Sequence, residues 1–150
     1  MFVHKIFHRW HRSLGLPKHT RCWYRARLKE ELLERRNAPS RTLKLSETAD
    51  VFYILSRARH DGHPLQPMPP FKLLQHTPIY TYMGLKYSSR WLFYRTAALL
   101  SAPGRATQVK EVINPSSDYK LEEVAARHRL DLAKFYRVAR RLRRVWPLLP

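Results

Sequence analysis

Glu31 and Glu34 stand three residues apart, and after a spacer of twelve residues Glu47 and Asp50 repeat that spacing. On a helix, residues three apart share a face about one turn apart. Two such pairs on adjacent helices converge into four oxygen donors, the ligand type that suits a hard divalent cation such as Mg²⁺. The pattern draws on scarce material. Five of the eleven Asp and Glu residues fall between positions 30 and 50, in a chain with 29 Lys and Arg and a net charge of +18. A second reading of the same residues stays open, because helices favour this charge spacing without any metal. Arg27 and Arg35 can serve as intrahelical partners for Glu31 and Glu34. Glu47 and Asp50 then stand in the first turn of a helix capped by Ser46, where the macrodipole favours acids.

The charge balance points to a phosphate-bearing partner, a nucleotide or a nucleic acid, or to an anionic surface. A basic subunit of a larger assembly fits it equally. Lys86 and Arg90, four apart on one helical face, suit a phosphate clamp, or else snorkel to solvent or neutralise nearby acids. A single cysteine, Cys22, excludes an internal disulfide. The most apolar stretch, Ile79 to Leu100, is interrupted by Lys86, Arg90 and Arg95, which argues against a membrane span. An apolar fraction of 44% with 12% aromatics supports a packed core.

The elements that must position these residues read as all-α: a compact bundle of about four main helices with a basic amphipathic N-terminal arm. Residues 1–19 form the arm and residues 20–150 a single helical domain. Residues 1–29 hold no acid, with eight Lys or Arg and four His. Phe2, Ile6, Phe7, Trp10 and Leu14 recur there at helical spacing. Such a start suits a mitochondrial matrix address or a docked arm, the nucleus or cytoplasm being the other compartments. His4, His8 and His11 read as a solvated basic face rather than metal ligands. Gly15 and Pro17 close this piece.

A first helix runs from a Thr20 cap to Arg36 with Tyr24, Leu28 and Leu32 as its apolar stripe, and Asn37-Ala-Pro-Ser40 breaks it. A second runs from Ser46 to Arg59, with Asp50, Val51, Ile54, Leu55 and Ala58 inward. After a Pro-rich connector, Thr77-Pro78 opens a third helix, apolar on nearly every side and placed centrally. It ends at Ala102-Pro-Gly104. Val109 to Ile113 forms a short strand or a helical turn. From Leu121 the chain is helical in two pieces joined near Arg129 to Asp131, with Leu132, Phe135, Val138, Leu142 and Val145 inward. The tail Trp146 to Pro150 packs on the bundle.

The acid pattern, with the run Lys44-Leu-Ser-Glu-Thr-Ala-Asp-Val51, resembles the E-x-x-E, spacer, E-x-x-D signature of MazG-like all-α nucleoside triphosphate pyrophosphohydrolases over residues 24–60. The resemblance implies that Glu31, Glu34, Glu47 and Asp50 hold Mg²⁺, which grips the triphosphate while water attacks and pyrophosphate leaves. Glu30 then stands as the candidate to orient the water. Lys86 and Arg90 match no motif of the family. Such enzymes commonly pair or tetramerise to complete their pockets, which makes a homo-oligomer an expectation.

Residues 121–142 resemble a DNA-binding helix-turn-helix. Val124 and Ala125 lie on its first helix, Leu130 after the turn, and Phe135 and Val138 on the second, capped by Asp131. In that reading Lys134 and Arg137 face the groove, Arg127, Arg140 and Arg141 meet phosphates, and Arg144 extends the ridge. The departure is Arg129, where such turns hold Gly because the backbone needs positive φ. An ordinary bundle corner has the same apolar spacing. Two functions follow as expectations. One is a Mg²⁺-dependent nucleoside triphosphate pyrophosphohydrolase, or a protein keeping its metal-binding bundle without activity. The other is a non-enzymatic basic nucleic-acid-binding protein, helix-turn-helix-like or associated with the mitochondrial ribosome.

Overall fold

A computed structural model describes residues 2–146. Every regular element among them is helical, as the periodicity predicts: α1 (Phe2–Leu14), α2 (Arg21–Asn37), α3 (Arg41–His60), α4 (Leu73–Ser101), α5 (Asp118–Arg127) and α6 (Leu132–Val145), with a 3-10 turn at Pro103–Gln108. No described helix is long and apolar enough to cross a membrane. The chain forms two compact units, Met1–Gly84 and Leu85–Pro150, dividing within α4.

In the first unit, α1 and α2 both pack on α3. The α2–α3 connection is three residues long because each end is chemically specified. Thr20 caps α2, accepting from the Trp23 N–H at 3.2 Å, and Pro39 prevents α2 from continuing beyond Asn37. Ser40 then caps α3, its hydroxyl accepting from Leu43 N–H at 3.1 Å. The helix therefore starts before Ser46, which is buried inside it. Glu47 and Asp50 lie beyond its first turn, where the macrodipole effect has faded, so that explanation for their presence fails.

Packing also rotates α2 relative to its expected apolar stripe. Tyr24 and Glu31 are buried, whereas Leu32 and Leu33 are 41% and 57% exposed. On α3, Val51, Ile54, Leu55 and Ala58 are buried as the periodicity predicts, and Phe52, Tyr53 and Arg57 join them. The arm is a docked helix. His11 Nε2 lies 2.9 Å from Ser56 Oγ, and Leu14 is buried. His11 is thus no solvated residue, and burial, then Arg57, drives its pKa down to about 3, keeping the ring neutral. Arg57 donates to Leu16 O at 2.7 Å and pairs with Asp61 at 3.3 Å. Tyr24 Oη donates to the same Asp61 carboxylate. This buried set ties the α1–α2 linker, α2 and α3 together.

Helix α4 begins at Leu73, so Pro78 sits inside it rather than at its first position. Its opening turn is stabilised by the His76 ring, whose Nδ1 accepts from Lys72 N–H at 3.0 Å. In the second unit α4 supplies Phe93, Tyr94, Ala97 and Ala98 to a core shared with Val109, Leu121, Val124 and Phe135. Leu85, Leu92 and Leu99 are each at least half exposed, so the apolar surface of α4 exceeds what its unit covers. Residues 109–112 have no regular structure, neither strand nor turn, because the 3-10 turn ends at Gln108 and leaves Val109 as a buried anchor. On α6, Phe135 and Ala139 face the core, while Leu132 and Val145 are 50% and 75% exposed, contrary to expectation. The inward stripe is narrower than the apolar one. Trp146 packs edge-on to Phe93 and donates its indole N–H to Ser89 Oγ at 2.9 Å; the rest of the tail lies outside the described residues.

Candidate functional site

The α2–α3 hairpin brings three of the four acids of the repeated motif together. Glu31, Glu34 and Glu47 each offer a carboxylate oxygen within 4.8 Å of the others, and they are buried, exposed and half-buried respectively. Three hard oxygen donors at this separation match the ligand set of a divalent cation. Asp50, buried at 8% exposure, lies one turn along α3 from Glu47 and acts on Glu31 electrostatically. It does not complete the three-carboxylate group.

Glu31 carries the site's electrostatic signature. Burial raises its pKa most, Asp50 next, and Glu34 and Glu47 add to the effect, while Arg27 works against it; the result is about 7. A buried carboxylate among carboxylates resists ionisation, and a cation placed among them reverses that penalty. Arg27 alone does not neutralise the cluster. It donates to Glu31 at 2.5 Å and to Glu30 at 2.6 Å, so Glu30 belongs to an exposed ion pair on the rim. Arg35, expected beside Glu34, instead donates its Nε–H to Thr48 Oγ1 at 2.9 Å and stitches α2 to α3.

Lys86 and Arg90 are buried on the stretch of α4 that belongs to the second unit, where both approach the Tyr87 ring, at 6.0 Å and 5.4 Å. They are packed cations, not snorkelling ones.

The second constellation forms a sharp corner. Ser117 caps α5 and Asp131 caps α6, its Oδ1 accepting from Lys134 N–H at 2.8 Å. Between them Arg129 adopts φ 52°, the left-handed conformation that Gly normally takes. Leu130 N–H donates to Ala125 O at 2.9 Å and Arg129 N–H to Ala126 O at 3.2 Å, the paired bonds of a Schellman helix end. Arg105 stabilises the strained segment by donating to Arg129 O at 2.7 Å. Lys134, Arg137, Arg140, Arg141 and Arg144 are exposed on α6, with Arg140 over the Tyr136 ring at 5.4 Å. Arg127 is committed elsewhere, to Glu111 at 2.6 Å and Glu123 at 2.5 Å.

Residues unforeseen from the sequence include Arg57, Asp61 and Tyr24, which hold the hairpin in place. Asp61-Gly62 directly after a helix was the available signal, since Gly62 at φ 89° ends α3. No protein family, curated protein or solved structure matches the chain.

Proposed function

We propose that the protein is a MazG-like, Mg²⁺-dependent nucleoside triphosphate pyrophosphohydrolase whose cation is held by Glu31, Glu34 and Glu47, with Asp50 adjoining. The observation that carries this reading is the convergence of Glu34 and Glu47 on a buried Glu31, whose proton affinity is raised by burial first and by its acidic neighbours next. The donors fit the group, being all carboxylate oxygens. When bound, the cation supplies positive charge against the phosphate oxygens and acidifies a coordinated water. Glu31 loses its proton to become a ligand. Arg27 keeps Glu31 and Glu30 oriented on α2 through its two short bonds, which leaves Glu30 at the rim to orient an attacking water. Water adds to the α-phosphorus, and the bond to the leaving pyrophosphate breaks.

The test is pyrophosphate release from ribo- and deoxyribonucleoside triphosphates with Mg²⁺, using the full chain. Release that disappears in both Glu47→Gln and Asp50→Ala supports the reading. Turnover unchanged in Glu47→Gln, or no release with any nucleotide, removes the enzymatic reading.

A second reading attaches to the second unit. The formed corner with Arg129 in the left-handed region and the exposed basic face of α6 favour binding to nucleic-acid phosphates. Salt-sensitive binding to RNA or DNA that weakens when Arg137 and Arg141 become Gln supports it. Affinity indifferent to ionic strength counts against it.

A further inference from the structure

A second charged concavity lies at the other end of α3. His4, Lys5, His8, Arg9 and Arg12 of α1, with Arg59 of α3, line a cavity of about 680 Å³. Its wall contains no carboxylate. Among the described residues, Lys5, Arg9, Arg12 and Arg59 form no ion pair with one. Elsewhere in the same unit Arg27 is paired with Glu30 and Glu31, and Arg57 with Asp61. Four permanent cations left together repel one another unless an anion joins them.

The cavity is pre-shaped. Helix α1 is fixed to α3 by the His11–Ser56 bond and by Arg57 donating to His11 O at 3.5 Å, and the linker after α1 by Arg57 donating to Leu16 O. His8 Nδ1 lies 3.2 Å from His60 Nδ1, and Arg12 Nη2 lies 3.5 Å from His8 Nε2. The Arg12 guanidinium thus faces an imidazole nitrogen, a weaker acceptor than a phosphate oxygen. Arg59 is twelve residues beyond Glu47 on one helix, roughly 18 Å of rise, so this is not the carboxylate site.

We infer that the cavity between α1 and α3 binds an anion bearing two or more clustered phosphate groups, at a site separate from the carboxylates. Clustered phosphates match four cations better than a single carboxylate does, and the guanidinium groups of Arg9, Arg12 and Arg59 offer fork-like donors to them. Two sources present this chemistry: a soluble oligophosphate and a phosphorylated lipid headgroup.

The experiment is calorimetric titration of the full chain with inorganic tripolyphosphate in the absence of Mg²⁺. Arg9→Gln/Arg12→Gln/Arg59→Gln is compared with Arg140→Gln/Arg141→Gln/Arg144→Gln, which removes the same charge from α6. All six positions are exposed, and circular dichroism checks that both variants fold. The expected result is a loss of about tenfold or more in affinity for the first variant only. Equal weakening of both, or of neither, overturns the proposal, as does absence of binding to the unmodified chain. A competition arm assigns the source. Displacement of tripolyphosphate by phosphatidylcholine vesicles containing phosphatidylinositol bisphosphate, but not by plain phosphatidylcholine, supports the site with a lipid headgroup as ligand. Failure of both vesicles to compete supports it with a soluble ligand. Glu47→Gln retains tripolyphosphate binding, so failure of the cation reading leaves this result untouched.

Discussion

The α2–α3 hairpin and the α5–α6 corner are both helix pairs joined by short, capped turns, yet they treat charge in opposite ways. The hairpin and its C-terminal cap turn four of their charges inward. Glu31, Asp50, Arg57 and Asp61 are all buried there, and Tyr24 donates to Asp61. The corner carries its charges outward, with a core of Val124, Leu130, Phe135 and Ala139 and an exposed row of basic residues on α6. A buried charge destabilises a fold unless a partner or ligand answers it, whereas a solvated one is nearly neutral to stability. Under the proposed function the hairpin is therefore the place where a bound cation would couple to stability. The corner is a stable platform that displays charge.

Substitutions that separate the two regions follow from that difference. The largest effect belongs to Arg57→Ala, which removes the cation paired with the buried Asp61 and releases the α1–α2 linker. Its expected cost is about 3–5 kcal/mol in chemical denaturation. Lys120→Ala in the second unit breaks a half-exposed pair with Glu123 and costs less than about 1 kcal/mol. Comparable losses would end the contrast.

Glu31→Gln comes next, and its sign is unusual. The folded-state pKa of about 7 lies above the ordinary 4.5. The carboxyl is protonated in both states below pH 4.5 and destabilises nothing there. As pH rises to 7 only the unfolded chain ionises freely, so stability falls across that window. Glu31→Gln removes a penalty of up to roughly 3 kcal/mol at pH 8 and nothing near pH 4. Denaturation of both proteins at the two pH values measures it. A variant destabilised at pH 8 would show that Arg27 satisfies Glu31 fully.

The smallest effect sharpens the corner. Arg129→Gly relieves a left-handed backbone while leaving the carbonyls that Arg105 binds, and it stabilises the protein by about 1 kcal/mol. A destabilised glycine variant would mean that the Arg129 side chain itself holds the corner.

What was legible in the sequence had a short-range cause. Thr20, Asn37-Ala-Pro39, Gly15 and Asp131 act on backbone groups within a few residues, and the helix ends they mark are where they were expected. Arg129 was readable for the same reason, since a turn that demands positive φ does so whatever fills it. Ser46 misled because two serines in one stretch can each cap a helix. Ser40 is the one that follows Pro39, which stops α2 and frees the next residues to start again. Pro78 misled because another local signal lies upstream of it: the His76 ring accepts from Lys72 N–H and fixes a first turn ahead of Thr77.

The carboxylate pattern was legible as spacing. The burial of Asp50 was legible too, as the head of the inward stripe of α3. That of Glu31 was not, because the face of α2 that meets α3 is fixed with Tyr24 donating to Asp61 across 37 residues. Leu32 and Leu33 end outside and Glu31 inside for that reason. The cationic cavity was equally hidden. Residues of α1 read as a basic stripe, and only the docking of α1 on α3 adds Arg59 to it.

The central claim is that Glu31, Glu34 and Glu47 form a cation site, and Mn²⁺ titration followed by electron paramagnetic resonance tests it most directly. The account predicts one bound Mn²⁺ per chain at pH 8, displaced by Mg²⁺, with affinity falling as pH drops through about 7 and Glu31 takes up its proton. Glu31→Gln and Glu47→Gln each lose the bound ion. Absence of binding, or binding that survives both substitutions, would contradict it.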